Sequence, residues 1–386
     1  MDSGPSPSEA EADAAAGAGR LADARRLLEA AARETPGRLE TWLKLSAMCR
    51  AAGDLESALA AVSRALAIEP LDLSALLMRA VLLEKSGDEA GAGEAYGHAL
   101  AQRPDGPAPA GLGPMLAHAE QRYRRFQQDA LARLRGGIAA AAGASAEEQA
   151  RIERFCTNIA RITRPFGQEP SHFAFPGLPA AEFHDRAHFP WLAELESATE
   201  AIREEFDALI RSEAAELVPY IQYPDDVPLR QWEGLNRSRD WTAVHLLRNG
   251  GRIDRNARHC PRTMALLERL PQPAVAGASP NAMFSLLAPG TRIPAHSGVA
   301  NTRLVCHLPL IVPPGCGFRV GAETRLWRPG SAFVFDDTIE HEAWNDSAEL
   351  RVVFIFDVWA WALSQAEREA VAAIIPRSAA PAAEGL

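Results

Sequence analysis

No run of apolar residues approaches the roughly 18 that a membrane helix needs, and the opening MDSGPSPSEAEADAAAGAG lacks the basic and apolar regions of a secretory signal. No membrane partner and a cytoplasmic location are therefore expected. No basic run with interleaved aromatics occurs either. Forty Lys+Arg stand against fifty Asp+Glu, a formal net charge of −10, so no nucleic-acid partner is expected. Cysteine is scarce: Cys49, Cys156, Cys260, Cys306 and Cys316 are odd in number and form no CxxC, which excludes a disulfide framework and a zinc knuckle. Any metal must be held mostly by other ligands. What is present is ordinary for a folded protein. The chain has 386 residues, 47% apolar and 23% charged. At roughly 150 residues per domain this predicts two or three domains.

The first hundred residues repeat. Gly19, Gly53 and Gly87 recur every 34 positions, as do Ala24, Ala58 and Ala92, and Pro36, Pro70 and Pro104. A glycine turn between two apolar-periodic segments, small residues for close approach and a punctuating proline predict stacked helical hairpins. The pattern resembles the tetratricopeptide repeat over 3–103. Such an array is either a spacer or a groove that holds a partner or substrate peptide. The segment 104–114, PDGPAPAGLGP, is too rich in Pro and Gly to continue a helix or strand and is expected to be the linker. A helical connector is expected over 115–215, with helices near 115–135, 145–163 and 190–213 packed on the outside of a β-rich domain. That domain is expected over 216–377, and 378–386 is expected to be an unstructured tail.

Short Val-, Ile-, Leu-, Phe- and Trp-rich runs predict strands near 242–248, 281–288, 303–313, 317–321, 323–328, 331–335, 340–345 and 350–358. Eight short strands without intervening helices predict a double-sheet jelly roll. The fold class is thus α+β multidomain, an all-α tetratricopeptide solenoid followed by a double-stranded β-helix with flanking helices.

Of ten histidines, His296, His307 and His341 fall within the jelly-roll segment, and Arg351 opens the apolar strand LRVVFIFDVW. A buried arginine is costly unless an anion meets it, so Arg351 reads as a carboxylate clamp. Two imidazoles and an arginine on neighbouring strands are the skeleton of a non-haem iron site, whose usual motif is His-X-Asp/Glu. Here the motif reads His296-Ser297-Gly298, without the carboxylate. On residue types alone, a chance arrangement of ordinary strand residues stays open.

The segments DWTAVHLLRNGGR, FSLLAPGTRIPAHSGVANTRLVCHLPLIVP and ETRLWRPGSAFVFDDTIEHEAWNDSAELRVVFIFDVW, in this order, resemble the aspartyl/asparaginyl β-hydroxylase family. A mammalian member of that family also has glycine in place of the metal carboxylate. The resemblance implies Fe(II) held by His296 and His341, and 2-oxoglutarate held by Arg351 with Ser285 and His307. It places Asp337 beside the metal, holding a bound water, and turns Arg303 and Arg252 toward a substrate carboxylate. It also implies O2 as oxidant, succinate and CO2 as co-products, and a peptide or protein Asp/Asn β-carbon as target. Val305 departs from the pattern, standing where the mammalian enzyme has an arginine. Alternatives are a halogenating or lipid-hydroxylating oxygenase, or a non-catalytic adaptor built on the repeats.

Overall fold

The computed structural model describes residues 7–104, 106–137, 143–224 and 226–378. The expected tail lies outside these apart from Ser378. The chain divides into two compact units, Met1–Thr163 and Arg164–Leu386.

The first unit is a stack of helical hairpins: α1 (Pro7–Gly17) with α2 (Leu21–Glu34), α3 (Leu39–Ala51) with α4 (Leu55–Ile68), and α5 (Leu73–Ser86) with α6 (Glu89–Leu100). The turns fall at the repeated glycines. Gly19, Gly53 and Gly87 have φ of 74°, 79° and 83°, a conformation that only glycine adopts at little cost. Asp54 and Asp88 then cap the next helix, accepting hydrogen bonds from the backbone N–H groups of Ser57 and Gly91. Ala24, Ala58 and Ala92 are buried, as close helix approach requires.

The boundary is not at 104–114. Past that segment, α7 (Gly113–Gly136) continues the stack, with Leu116 and Ala119 in one apolar cluster with Leu77, Ala92 and Tyr96. A Cβ at Gly93 or Gly97 would meet the rings of Phe126 and Tyr123, so these glycines let α7 lie against α6. Next comes α8 (Ala146–Ile159), and the boundary falls after Thr163. The Pro/Gly segment is a turn inside the solenoid, because proline ends a helix without ending the packing.

The second unit begins with α9 (Leu192–Ser197) and α10 (Thr199–Arg211), two helices where one was expected, divided at Ala198. The major sheet runs β1 (Val218–Pro219), β2 (Trp241–Arg248), β4 (Ala282–Leu287), β11 (Arg351–Trp359), β6 (Arg303–Ile311) and β9 (Phe333–Phe335), with β3 (Gly251–Arg252) paired to β2. The minor sheet runs β5 (Thr291–His296), β10 (His341–Asn345), β7 (Cys316–Val320) and β8 (Glu323–Arg325). All pairings are antiparallel, and the two sheets form a jelly roll. Short helices α11 (Asp254–Ala257) and α12 (Pro261–Leu267) come after β3, and α13 (Gln365–Ile374) comes after β11. No helix among the described residues is long and apolar enough to cross a membrane.

Strand alternation separates two cores. On β11, Val352, Phe354, Phe356 and Val358 pack with Leu195, Ile202, Phe206 and Leu209 of α9 and α10. Val353 and Ile355 face the other way, into the space between the sheets, with Ile293, Phe318, Val320 and Phe335. Arg351 and Asp357 share the parity of this inner face. Both cores are built from residues of the second unit alone. A chain beginning at Arg164 is therefore expected to fold, with the same far-UV circular dichroism per strand and a cooperative melt; loss of cooperativity would contradict it.

Candidate functional site

His296 ends β5 and His341 opens β10, and the two residues are direct partners in the sheet register. Their rings lie 4.1 Å apart, centroid to centroid. Each Nδ1–H donates to a backbone carbonyl two residues earlier: His296 to Pro294 at 2.8 Å, His341 to Ile339 at 3.0 Å. A carbonyl oxygen only accepts, so the proton is fixed on Nδ1 and the lone pair sits on Nε2 in both rings. Burial, and for His296 its neighbour His341, pushes these imidazoles down to about 3 and about 4, so both are neutral at physiological pH.

The absent side chain at position 298 is explained by its neighbour. A Cβ on Gly298 would collide with the carboxylate of Asp337, whose backbone carbonyl accepts a 2.6 Å hydrogen bond from the Gly298 N–H. Asp337 thus occupies the space a longer residue would take. It is buried, 3.1 Å from the Arg303 Nη2, and neither of its carboxylate oxygens makes a well-aligned hydrogen bond among the described residues. Burial pushes the Asp337 carboxyl above the usual carboxylate range, and the Arg303 guanidinium opposes that shift. Gly298→Ala is expected to cost about 1–3 kcal/mol of stability by overpacking. In a thermal melt Gly298→Ala should cost much less in an Asp337→Gly background than in the wild type, because the clash has one partner; Asp337→Gly by itself is destabilising, since it leaves the buried Arg303 without its ion pair. Additive losses would show that the collision is not the cause.

Arg351 is 2% exposed, and no carboxylate pairs with it among the described residues. Its Nη1 donates to the carbonyl and Oγ of Ser285, both at 3.2 Å, while its Nε has no partner. Burial lowers the guanidinium to about 10. The indole of Trp327 lies over it at 4.9 Å and donates Nε1–H to His307 Nδ1 at 3.4 Å. Burial, and then Arg351, holds His307 well below its usual range, so the ring is neutral with its one proton on Nε2. Ser285 Oγ also accepts from Trp241 Nε1 at 3.1 Å. Arg351 Nε, the Ser285 hydroxyl and His307 Nε2 are all left as donors, the requirement for receiving an anion.

These contacts close on themselves. Trp241 lies 6.4 Å from the His296 ring, His307 stacks edge-on at 4.9 Å to Phe335, and Phe335 lies 5.4 Å from His341. One circuit of side chains therefore joins both imidazoles to the buried arginine. Asp337 and Arg303 adjoin it through Gly298. Trp241 and Trp327 have no role in the sequence pattern, although a buried indole N–H that needs an acceptor is a signal of such positions.

Arg252 is not brought to the site. Asn249 and Gly250, with φ of 51° and 82°, turn a two-residue hairpin between β2 and β3. That places Arg252 opposite Leu247, roughly 20 Å along β2 from Trp241 at about 3.3 Å per residue. Its Nε donates to Asp254 at 2.9 Å on the surface. Among the described residues no group of three or more His, Cys, Asp or Glu is arranged to hold a metal.

The chain is similar in sequence to proteins of known family. The family description "Aspartyl/Asparaginyl beta-hydroxylase" matches residues 196–360. "Aspartate beta-hydroxylase domain-containing protein 2" of Rattus norvegicus is 32% identical over 266 residues, 68% of this chain and 70% of that protein. The chain belongs to the aspartyl/asparaginyl β-hydroxylase family. The human relative with the same name is 33% identical over 266 residues, and the match covers 68% of this chain and 65% of that protein. Within the family, the human "Aspartyl/asparaginyl beta-hydroxylase" is 36% identical over 143 residues, 37% of this chain and 19% of that protein. The "Ornithine lipid ester-linked acyl 2-hydroxylase" of Rhizobium tropici is 35% identical over 177 residues, 45% of this chain and 59% of that protein.

Proposed function

We propose that this protein is an Fe(II)- and 2-oxoglutarate-dependent oxygenase that hydroxylates the β-carbon of an Asp or Asn residue in a peptide or protein. One observation carries the reading: a single circuit of contacts joins two neutral imidazoles to a buried guanidinium that has no counter-ion among the described residues. Both imidazoles present the unprotonated nitrogen a metal needs, and the donor set of Arg351, Ser285 and His307 needs an acceptor-only group. The residues fit the iron and the cosubstrate.

His296 and His341 would hold the iron through Nε2. Arg351, Ser285 and His307 would receive the distal carboxylate of 2-oxoglutarate. Bound together with O2, these groups supply an oxidative decarboxylation in which one oxygen atom enters a C–H bond and the other enters succinate, with CO2 released. The chain orients and shields. Trp327 and Phe318, stacked at 5.3 Å, wall the carboxylate end from water. Trp327 also fixes the His307 tautomer. Asp337, an acceptor beside Gly298, would orient a water, and Arg303 would face a substrate carboxylate. A stack of helical hairpins presents a continuous concave surface, and the first unit is proposed to hold a further stretch of the peptide.

The test is anaerobic mixing with Fe(II) and 2-oxoglutarate, then oxygen and an Asp- or Asn-containing peptide. Succinate and a peptide heavier by one oxygen are expected, with or without chloride. A chlorinated peptide would select the halogenating alternative, and the absence of succinate would leave the adaptor.

A further inference from the structure

The jelly roll holds a recess beside the proposed oxygenase site, and that site uses only the Arg303 side of it. It is a cleft of about 240 Å³ between the 273–279 turn, the residues after Gly298, and the segment beyond α13. Phe173, Val275, Val299, Trp359 and Ile375 give it an apolar side, while Ser279, Asn281, Thr302 and Arg303 add polar groups to its wall.

Two features connect this cleft to the site. Val299 and Ala300, directly after His296-Ser297-Gly298, are one side of it. Arg303 belongs to both places: it lines the cleft, and its Nη2 is 3.1 Å from Asp337, whose carboxylate abuts Gly298. The ion pair with Asp337 uses only one end of the guanidinium. Nη1 is buried without a hydrogen-bond partner, so Arg303 keeps capacity for a second acceptor. A carboxylate or amide at Arg303 with an apolar group beside it is the occupant this pairing of charge and apolar wall complements. Size narrows the choice. At about 30 Å³ for each water-sized group, the cleft has room for roughly eight, which suits one large side chain.

We propose that this cleft is a specificity pocket for a large apolar side chain, such as Leu, Met or Phe, close in sequence to the target Asp or Asn. The inference rests on the peptide substrate proposed for the enzyme. It explains why one side of the recess is apolar although the target residue is polar.

The experiment uses the full chain with Fe(II), 2-oxoglutarate and oxygen, and peptides that carry one Asp with Ala or Phe at each of the two positions on either side. Phe at one position is expected to lower KM about ten- to a hundredfold relative to Ala, as burial of one apolar side chain implies, with kcat unchanged. Ala278→Phe fills the cleft and should bring the Phe and Ala peptides to the same KM. Ile375→Ala removes part of the rim and should weaken the preference, which guards against misfolding of the first variant. The KM for 2-oxoglutarate should be untouched in both. Equal KM values at every position, or a preference that survives both variants, would overturn the pocket while leaving the peptide reading intact. Succinate formation with hydroxylation of an acyl lipid and of none of the peptides would overturn both.

Discussion

Arg351→Met is expected to make the ligand-free protein more stable and 2-oxoglutarate binding far weaker. Both effects follow from one fact: the guanidinium is 2% exposed and has no anionic partner among the described residues. A buried charge without a counter-ion is a standing cost, and replacing buried ionic groups by apolar ones of similar size stabilises by about 1–4 kcal/mol. With 2-oxoglutarate present the balance reverses. Removing one partner of a buried charge pair costs about 3–5 kcal/mol, which is on the order of a hundredfold or more in affinity. A thermal melt with and without 2-oxoglutarate reads both. The wild type should gain stability from the ligand and the variant should not. An unchanged gain would remove Arg351 from the cosubstrate site.

His296→Ala and His341→Ala are each expected to abolish metal-dependent turnover. A site with two protein ligands cannot spare one, so the loss should exceed the roughly 10–100-fold typical of changes to residues behind the ligands. His341 also packs against Phe335 at 5.4 Å and Phe318 at 6.1 Å, so its removal should lower the melting temperature as well. His296 is less enclosed and should cost less stability. Iron titration and succinate formation, measured on variants shown to be folded, separate the two effects. Wild-type turnover in either variant would refute the ligand assignment.

Much of this site is legible in the sequence because its residues interrupt apolar strands. His307 within RLVCHLPLI and Arg351 within RVVFIFDVW stand out where burial makes polar groups costly, and strand alternation puts them on the inner face. β5 is not legible. TRIPAH contains proline, which weakens a strand reading, yet β5 is an edge strand of the minor sheet, where a missing N–H is tolerated. Arg252 falls away from the site for a related reason: proximity in a motif does not survive a hairpin that reverses the chain at Asn249-Gly250. The domain boundary lies later than composition suggests because α7 buries Leu116 and Ala119 against a preceding helix beyond the proline-rich segment, and such tertiary packing leaves little local signal. The collision between Gly298 and Asp337 joins residues 39 positions apart and becomes visible only once β5 and β10 are paired.

The proposed reaction is hydroxylation of a carbon of Asp or Asn with iron, 2-oxoglutarate and molecular oxygen. The most direct test is turnover under ¹⁸O₂ with an Asp- or Asn-containing peptide, read by mass spectrometry. One labelled oxygen in the peptide and one in succinate are predicted, with both labels lost in His341→Ala. Unlabelled products, or a labelled peptide formed without 2-oxoglutarate, would contradict the account.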